Sequence, residues 1–125
     1  MYLLDTHTFL WLLDEDERLS SLARTIINSD ADLCISIGSF WEIAIKQNIG
    51  KLKVDRTPLE LMNLATTQSI IIQQIEPQHL NIIRTLERIH NDPFDRLIIA
   101  QAMCEKYPIL TCDSIIPKYD VTTVW

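Results

Sequence analysis

Four acidic residues, far apart along the chain, each stand next to a segment boundary. Asp5 follows the apolar run Tyr2 to Leu4, Glu42 lies in SFWEIAIKQNIG, Asp95 lies in HNDPFDRLIIAQA, and Asp113 directly follows Ile109 to Cys112. Carboxylates are hard oxygen ligands, and a set with few competing His or Cys residues selects Mg2+ or Mn2+. One or two such ions polarise a phosphodiester, activate water and stabilise the leaving oxygen, so the chemistry indicated is metal-assisted phosphodiester hydrolysis. Each acid alone has a plainer use as a helix cap or a partner of the helix dipole, contributing about 0.5–2 kcal/mol. Four carboxylates within a few ångströms of one another are a different matter: they repel, raise one another's pKa values and require a compensating cation.

The stretch His90 to Ala102 holds two acids three residues apart around Pro93. Proline favours the first helical position, so Asp92 is expected to cap the helix, while Asp95, one turn further in, faces the metal.

For the four acids to meet, the elements between them must bring them to one edge. Tyr2 to Leu4 reads as a strand, and Thr6 to Leu13 continues with the helical spacing of Phe9, Leu10 and Leu13. A helix capped at Ser20 and Ser21 carries Leu22, Ala23, Ile26 and Ile27, and Leu33 to Ile37 is an apolar run of strand length. Ser39 is expected to open a helix, with Glu42 in its first turn and Gly50 as its C-cap. Thr57-Pro58-Leu59-Glu60 is a capping box with proline at its favoured position.

Ile70 to Ile75 reads as a strand. Pro77 then starts a helix whose inner stripe is Leu80, Ile83 and Leu86, and Pro93 starts another that runs to Glu105. Ile109 to Cys112 and Val121 to Trp125 are the last strands, the final one at an edge. Helices alternating with short, nearly all-apolar strands predict an α/β fold, a three-layer α/β/α sandwich around a parallel sheet of about five strands. Right-handed crossovers gather strand C-termini and the following helix N-termini along one rim, where such folds bind ligands.

The bulk numbers set the frame. The 125 residues suit a single domain spanning 1–125, and an apolar content of 47% is enough for a core. Seventeen Asp and Glu against eleven Lys and Arg give a net charge of −6, which argues against a nucleic-acid coat protein held by its own basic surface. The apolar N-terminus lacks a basic leader and carries Asp5 and His7, so it reads as part of the fold rather than a signal peptide. No apolar run is long enough for a membrane span. Cys34, Cys104 and Cys112 show no C-x-x-C spacing and are expected to fill small buried spaces in a reducing cytoplasm.

With these residues in place, the chain resembles the PIN-domain ribonucleases, and within them the toxins of VapBC-type toxin–antitoxin pairs. The likeness runs nearly end to end, through LLDTHTFLWLL, SIGSFWEIAIKQNIGKL, NDPFDRLIIAQA and LTCD in order. The resemblance implies that Asp5, Glu42, Asp95 and Asp113 form the acidic quartet that binds Mg2+ or Mn2+ and cuts single-stranded RNA. Thr6 is similar to the family hydroxyl that orients the first carboxylate or a water on the metal. A homodimer and inhibition by a small antitoxin protein are implied in the same way.

Other residues have two uses each. Lys46, Lys51, Lys53 and Arg56 form a basic stretch suited either to RNA phosphates or to a solvated helix end. Arg96 is placed to contact a phosphate or an antitoxin carboxylate, with a salt bridge to Asp92 as the favoured simpler use. For His7, packing or a surface position is favoured over a proton shuttle, and His79 and His90 have less claim. Trp11, Trp41, Phe40 and Phe94 are expected in core or subunit packing ahead of base stacking.

Two other functions fit parts of the pattern. A catalytically silent PIN-like module would bind RNA or protein through the same groove. A phospho-receiver domain would need an acidic pair at the first strand and a lysine just after the last catalytic strand, whereas Asp5 stands alone and the first lysine after Asp113 is Lys118.

Overall fold

The computed structural model describes residues 1–125. Five short strands form one all-parallel sheet: β1 (Tyr2–Leu4), β2 (Leu33–Ser36), β3 (Ile71–Gln73), β4 (Ile109–Leu110) and β5 (Thr123–Val124). Six helices connect them: α1 (Thr6–Leu13), α2 (Ser21–Ile27), α3 (Ile37–Asn48), α4 (Pro58–Thr67), α5 (Pro77–Thr85) and α6 (Pro93–Glu105). The expected α/β sandwich is therefore present, and β5 is an edge strand.

The strand order is β3-β2-β1-β4-β5. The chain moves outward from β1 to β3, then returns to the other side of β1, so the order switches between β1 and β4. Ligands of open α/β sheets bind at such a switch point, beyond the strand C-termini. Asp5 follows β1 there, and Thr111 to Asp113 follow β4. Receiver domains have the order 2-1-3-4-5, so this topology sets that alternative aside.

Alternation along the strands builds two cores. Leu4, Ile35 and Leu110 point to one face, where they pack with Phe9, Phe40, Ile43, Leu61 and Ala65. Leu3, Cys34 and Ile109 point to the other and meet Ile98, Ile99, Ala102 and Ile116. Strands buried on both faces have no polar side to show, which is why their sequences are almost continuous apolar runs.

Several boundaries differ from the sequence reading. Helix α3 begins at Ile37, capped by the Ser36 hydroxyl, which accepts from the Gly38 N–H at 3.1 Å. The last residue of β2 is thus already the cap, Ser39 is helical, and Glu42 sits in the second turn. Strand β3 is only Ile71–Gln73, and Ile75 lies outside it. In α5 the buried side chain is His79, while Leu80 is 54% exposed. His79 Nδ1 accepts from the Glu76 N–H at 2.9 Å and Nε2 faces Glu105, which turns the helix away from the expected stripe.

Helices α3 and α6 cross tightly. A Cβ on Gly38 would lie 2.5 Å from Leu97 Cδ2, and this crossing sets the spacing between Glu42 on one helix and Asp95 on the other. Gly38→Ala is expected to destabilise the protein by about 1–2 kcal/mol, because overpacking outweighs the better helix propensity of alanine. Chemical denaturation checks this, and an unchanged midpoint would show that Leu97 moves aside freely.

Candidate functional site

The site forms where β1, β4 and the N-terminal turns of α1, α3 and α6 meet. Each acid is placed by local capping chemistry. Asp5 is the N-cap of α1: its Oδ1 accepts from the Thr8 N–H at 2.9 Å, and Oδ2 accepts from the Thr111 hydroxyl at 2.5 Å. The same Thr111 oxygen accepts from the Asp113 N–H at 3.0 Å, so one hydroxyl ties the acid after β1 to the backbone after β4. Asp113 Oδ1 accepts from the N–H groups of Ile115 and Ile116 at 2.7 and 3.0 Å, which holds it against the start of a short 3₁₀ turn.

Glu42 and Asp5 form the floor of the site, 4% and 7% exposed. Glu42 Oε1 accepts from the Thr6 hydroxyl at 2.6 Å, and Oε2 pairs with Lys46 Nζ one turn along α3. Thr6 thus hydrogen-bonds the Glu42 carboxylate, whereas the hydrogen bonds to the Asp5 carboxylate come from Thr8 and Thr111. Ser39 Oγ lies 2.9 Å from the same hydroxyl.

Asp92 is the cap of α6, its Oδ1 accepting from the Phe94 and Asp95 N–H groups at 2.8 and 3.1 Å. Its Cα-neighbouring proline and its carboxylate thus do the terminal work. Asp95 does none of it. Burial and the charges of Asp92, Glu42, Asp5 and Asp113, in that order, push its carboxyl up to about 8. All four of these acids act on one carboxylate, which places the sequence-distant set in a single electrostatic neighbourhood. Asp5 is also shifted upward, chiefly by burial, against the lowering effect of its hydrogen bonds to Thr111 and Thr8. Asp113 moves the other way: its backbone hydrogen bonds and His90 hold it below the ordinary range despite some burial.

His90 stands between the two outer acids. Its Nε2 lies 3.1 Å from Asp95 Oδ2 and 3.3 Å from Asp113 Oδ2. The three side chains offer ligand atoms within 4.8 Å of one another. From sequence, His90 has less claim to a role than His7. The signal that identifies it is its place two residues before the cap, which aims the ring along the helix start. Thr111, inside LTCD, was likewise overlooked as a small polar strand-end residue.

The supporting candidates divide. Arg96 is not free for a phosphate and makes no pair with Asp92: it donates to the carbonyls of Glu87, His90 and Leu86 at 2.9, 3.2 and 3.2 Å and lies 3.4 Å from Tyr119 Oη. A planar guanidinium satisfies several carbonyls at once, and the loop before α6 uses it for that. Lys46 is held by Glu42 at the site margin. Lys51 is exposed beyond the end of α3, roughly 10 Å or more down the helix from Glu42.

Trp41 is 60% exposed rather than core, with Phe94 edge-on at 5.3 Å. Phe40 is core, and Trp11 is half-buried between His7 and Trp125. His7 is exposed. Of the cysteines, only Cys34 is fully buried, its thiol pushed up to about 12 by burial, and Cys112 is exposed.

A cation fits this arrangement on the chemistry of its donors. Asp95 is a carboxyl in a half-buried position with Asp92, Glu42, Asp5 and Asp113 around it, and burial together with their charges raises its pKa. Oxygen ligands of this kind suit Mg2+ or Mn2+.

A family model described as the PIN domain matches residues 2–121. None of the curated proteins compared matches the chain. Among solved structures, a toxin–antitoxin complex from Klebsiella pneumoniae is similar at 15% identity and TM-score 0.67, covering 100% of this chain and 97% of the other. FitAcB from Neisseria gonorrhoeae is similar at 16% identity and TM-score 0.68, with coverage of 100% and 97%. FitAB bound to an IR36 DNA fragment matches at 16% identity and TM-score 0.68, with coverage of 99% and 94%.

Proposed function

The chain belongs to the PIN-domain family, and on that premise we propose that it is a Mg2+- or Mn2+-dependent endoribonuclease that cuts single-stranded RNA as the VapC-type toxin of a toxin–antitoxin pair. The observation that carries this reading is the convergence of Asp95 and Asp113 on one rim, their Oδ2 atoms 3.1 and 3.3 Å from the same His90 nitrogen, with Asp5 and Glu42 among the charges that raise the Asp95 carboxyl. Such a site stores repulsion that a divalent cation relieves.

Asp5, Glu42, Asp95 and Asp113 would hold the ion. When bound, it supplies the positive charge that polarises the phosphodiester and offsets charge on the leaving oxygen. The protein's own residues do the placing. Thr8 and Thr111 fix both oxygens of Asp5, Thr6 and Lys46 fix those of Glu42, and the 3₁₀ turn fixes Asp113. Asp95 and Asp113 are the more accessible acids, with side chains 21% and 29% exposed. A strand of RNA would thus meet Asp95 and Asp113 first, with Asp5 and Glu42 buried beneath them.

An antitoxin partner belongs to the same reading. Trp41 and Ile45 on α3 and Ile49 at its C-cap recur at four-residue spacing and are 60%, 38% and 56% exposed, an apolar stripe beside the acidic rim suited to a protein partner. A homodimer and a cytoplasmic location complete the proposal. No helix is long and apolar enough to cross a membrane.

The test is incubation of the purified protein with labelled single-stranded RNA and Mg2+ or Mn2+, with EDTA and Asp5→Asn as controls. Cleavage is expected with either ion and is expected to vanish in both controls. RNA binding without cleavage would favour the silent-module alternative, and cleavage surviving in Asp5→Asn would remove the quartet from the chemistry.

A further inference from the structure

We propose that His90 is the positioning residue of the acidic rim: its Nε2–H fixes the Asp113 carboxylate beside Asp95 so that the pair is set for a divalent cation, while the imidazole stays outside the ion's ligands. The inference rests on the metal-dependent reading above and deepens it.

Every polar atom of His90 is committed. Its backbone N–H donates to Tyr119 Oη at 2.7 Å, and its carbonyl accepts from Arg96 at 3.2 Å. Its Nδ1 accepts from the Asp92 N–H at 3.1 Å. A ring nitrogen that accepts a backbone N–H carries no proton, so the proton of neutral imidazole is on Nε2. The donor cannot be reversed, because a backbone amide has only a hydrogen to offer, and Asp92 is itself held as the cap of α6.

Nε2 therefore points a hydrogen, not a lone pair, at the rim. It bonds Asp113 Oδ2 at 3.3 Å, and Asp95 Oδ2 lies 3.1 Å from the same nitrogen. A histidine coordinates metal through an unprotonated nitrogen, so this imidazole is a donor to ligands and not a ligand. Asp113 is then gripped from both sides, by Ile115 and Ile116 on Oδ1 and by His90 on Oδ2. Carboxylate oxygens each have two acceptor directions, so Asp113 Oδ2 keeps capacity for a second partner besides His90. His79 carries the same lock on Nδ1, yet its Nε2 meets only Glu105 and lies away from the quartet.

Calorimetric Mn2+ titrations of EDTA-stripped wild type, His90→Leu and His90→Gln test this. The expected result is a loss of Mn2+ affinity of about 10- to 100-fold in His90→Leu, the usual cost of removing a partner that orients a ligand. His90→Gln, whose amide can donate from nearly the same place, is expected to recover most of it. Electron spin-echo spectroscopy of Mn2+ on the wild type is expected to show no directly bound nitrogen. Unchanged affinity in His90→Leu, no recovery in His90→Gln, or a directly bound nitrogen each overturns the inference. Should His90→Leu fail to fold, as its melting in EDTA would reveal, the glutamine variant and the spectrum decide. A wild type that takes up no Mn2+ overturns the metal-dependent reading itself, an outcome separate from any difference between the variants.

Discussion

Asp95→Asn loses RNA cleavage by about a hundredfold or more, yet raises the melting temperature of the cation-free protein at pH 8 by roughly 5–10 °C. The first effect follows from removing a proposed ion ligand, since even residues that only orient such ligands cost about 10- to 100-fold. The second follows from the electrostatics. The Asp95 carboxyl is pushed up to about 8 in the folded protein, against an ordinary value of 3.8. Between these values the folded chain keeps a proton that the unfolded chain has released, so stability falls as pH rises through the window. Asn carries no charge and removes the fall, a gain on the order of 2 kcal/mol.

Melting curves in EDTA from pH 5 to pH 8 check the sign. The wild type is expected to melt lower at pH 8 than at pH 5, and Asp95→Asn to flatten that slope. Mn2+ is expected to raise the wild-type melting temperature at pH 8 by mass action and to do so far less in the variant. Asp5, also raised, acts in the same sense as Asp95 and leaves part of the slope in the variant, whereas Asp113 and Asp16, both held below the usual carboxylate range, act in the opposite sense and below about pH 4. A lower melting temperature for Asp95→Asn in EDTA would mean that its carboxylate is a cap after all.

Arg96→Ala is expected to destabilise the protein by about 2–4 kcal/mol, seen as a fall of roughly 10 °C in melting temperature. Three backbone carbonyls, of Leu86, Glu87 and His90, lose their charged donor together. Hydrogen bonds to a charged group are among the stronger ones, and a buried acceptor left without a partner adds to the loss. The loop that presents His90 loosens with it, so cleavage should fall as well. Lysine in its place has a compact ammonium that cannot span these carbonyls, and Arg96→Lys is expected to be intermediate. If Arg96→Ala instead melts like the wild type but binds RNA more weakly, its proper partner is a phosphate.

Much of the candidate site was legible because caps are local. A side chain that accepts from a backbone N–H two or three residues on is written in contiguous residues, and so Asp92 before Pro93, Ser20 before α2 and Thr57 with Glu60 were readable as such. The apolar runs of β1, β2 and β4 were readable for a similar reason: strands buried on both faces admit little else. Ser36 shows the limit of this reading. It lies at the end of an apolar run and caps α3 from the last strand position, a case in which two local signals overlap and the strand pattern hides the cap.

The sequence by itself determined the α/β order, singled out the four acids as candidates and placed Asp92 as the cap ahead of Pro93, because each depends on spacing within a few residues or on periodicity within one element. Only the tertiary structure decided that burial and four neighbouring acids raise the Asp95 carboxyl, that Arg96 braces a loop, that Trp41 faces solvent and that His90 Nε2 meets Asp113 beside Asp95. Those outcomes depend on which distant segment passes by: Tyr119 reaches His90 across 29 positions and Thr111 reaches Asp5 across 106. Contacts at such separations are set by how helices and strands stack on the sheet, and no short window of residues contains that information.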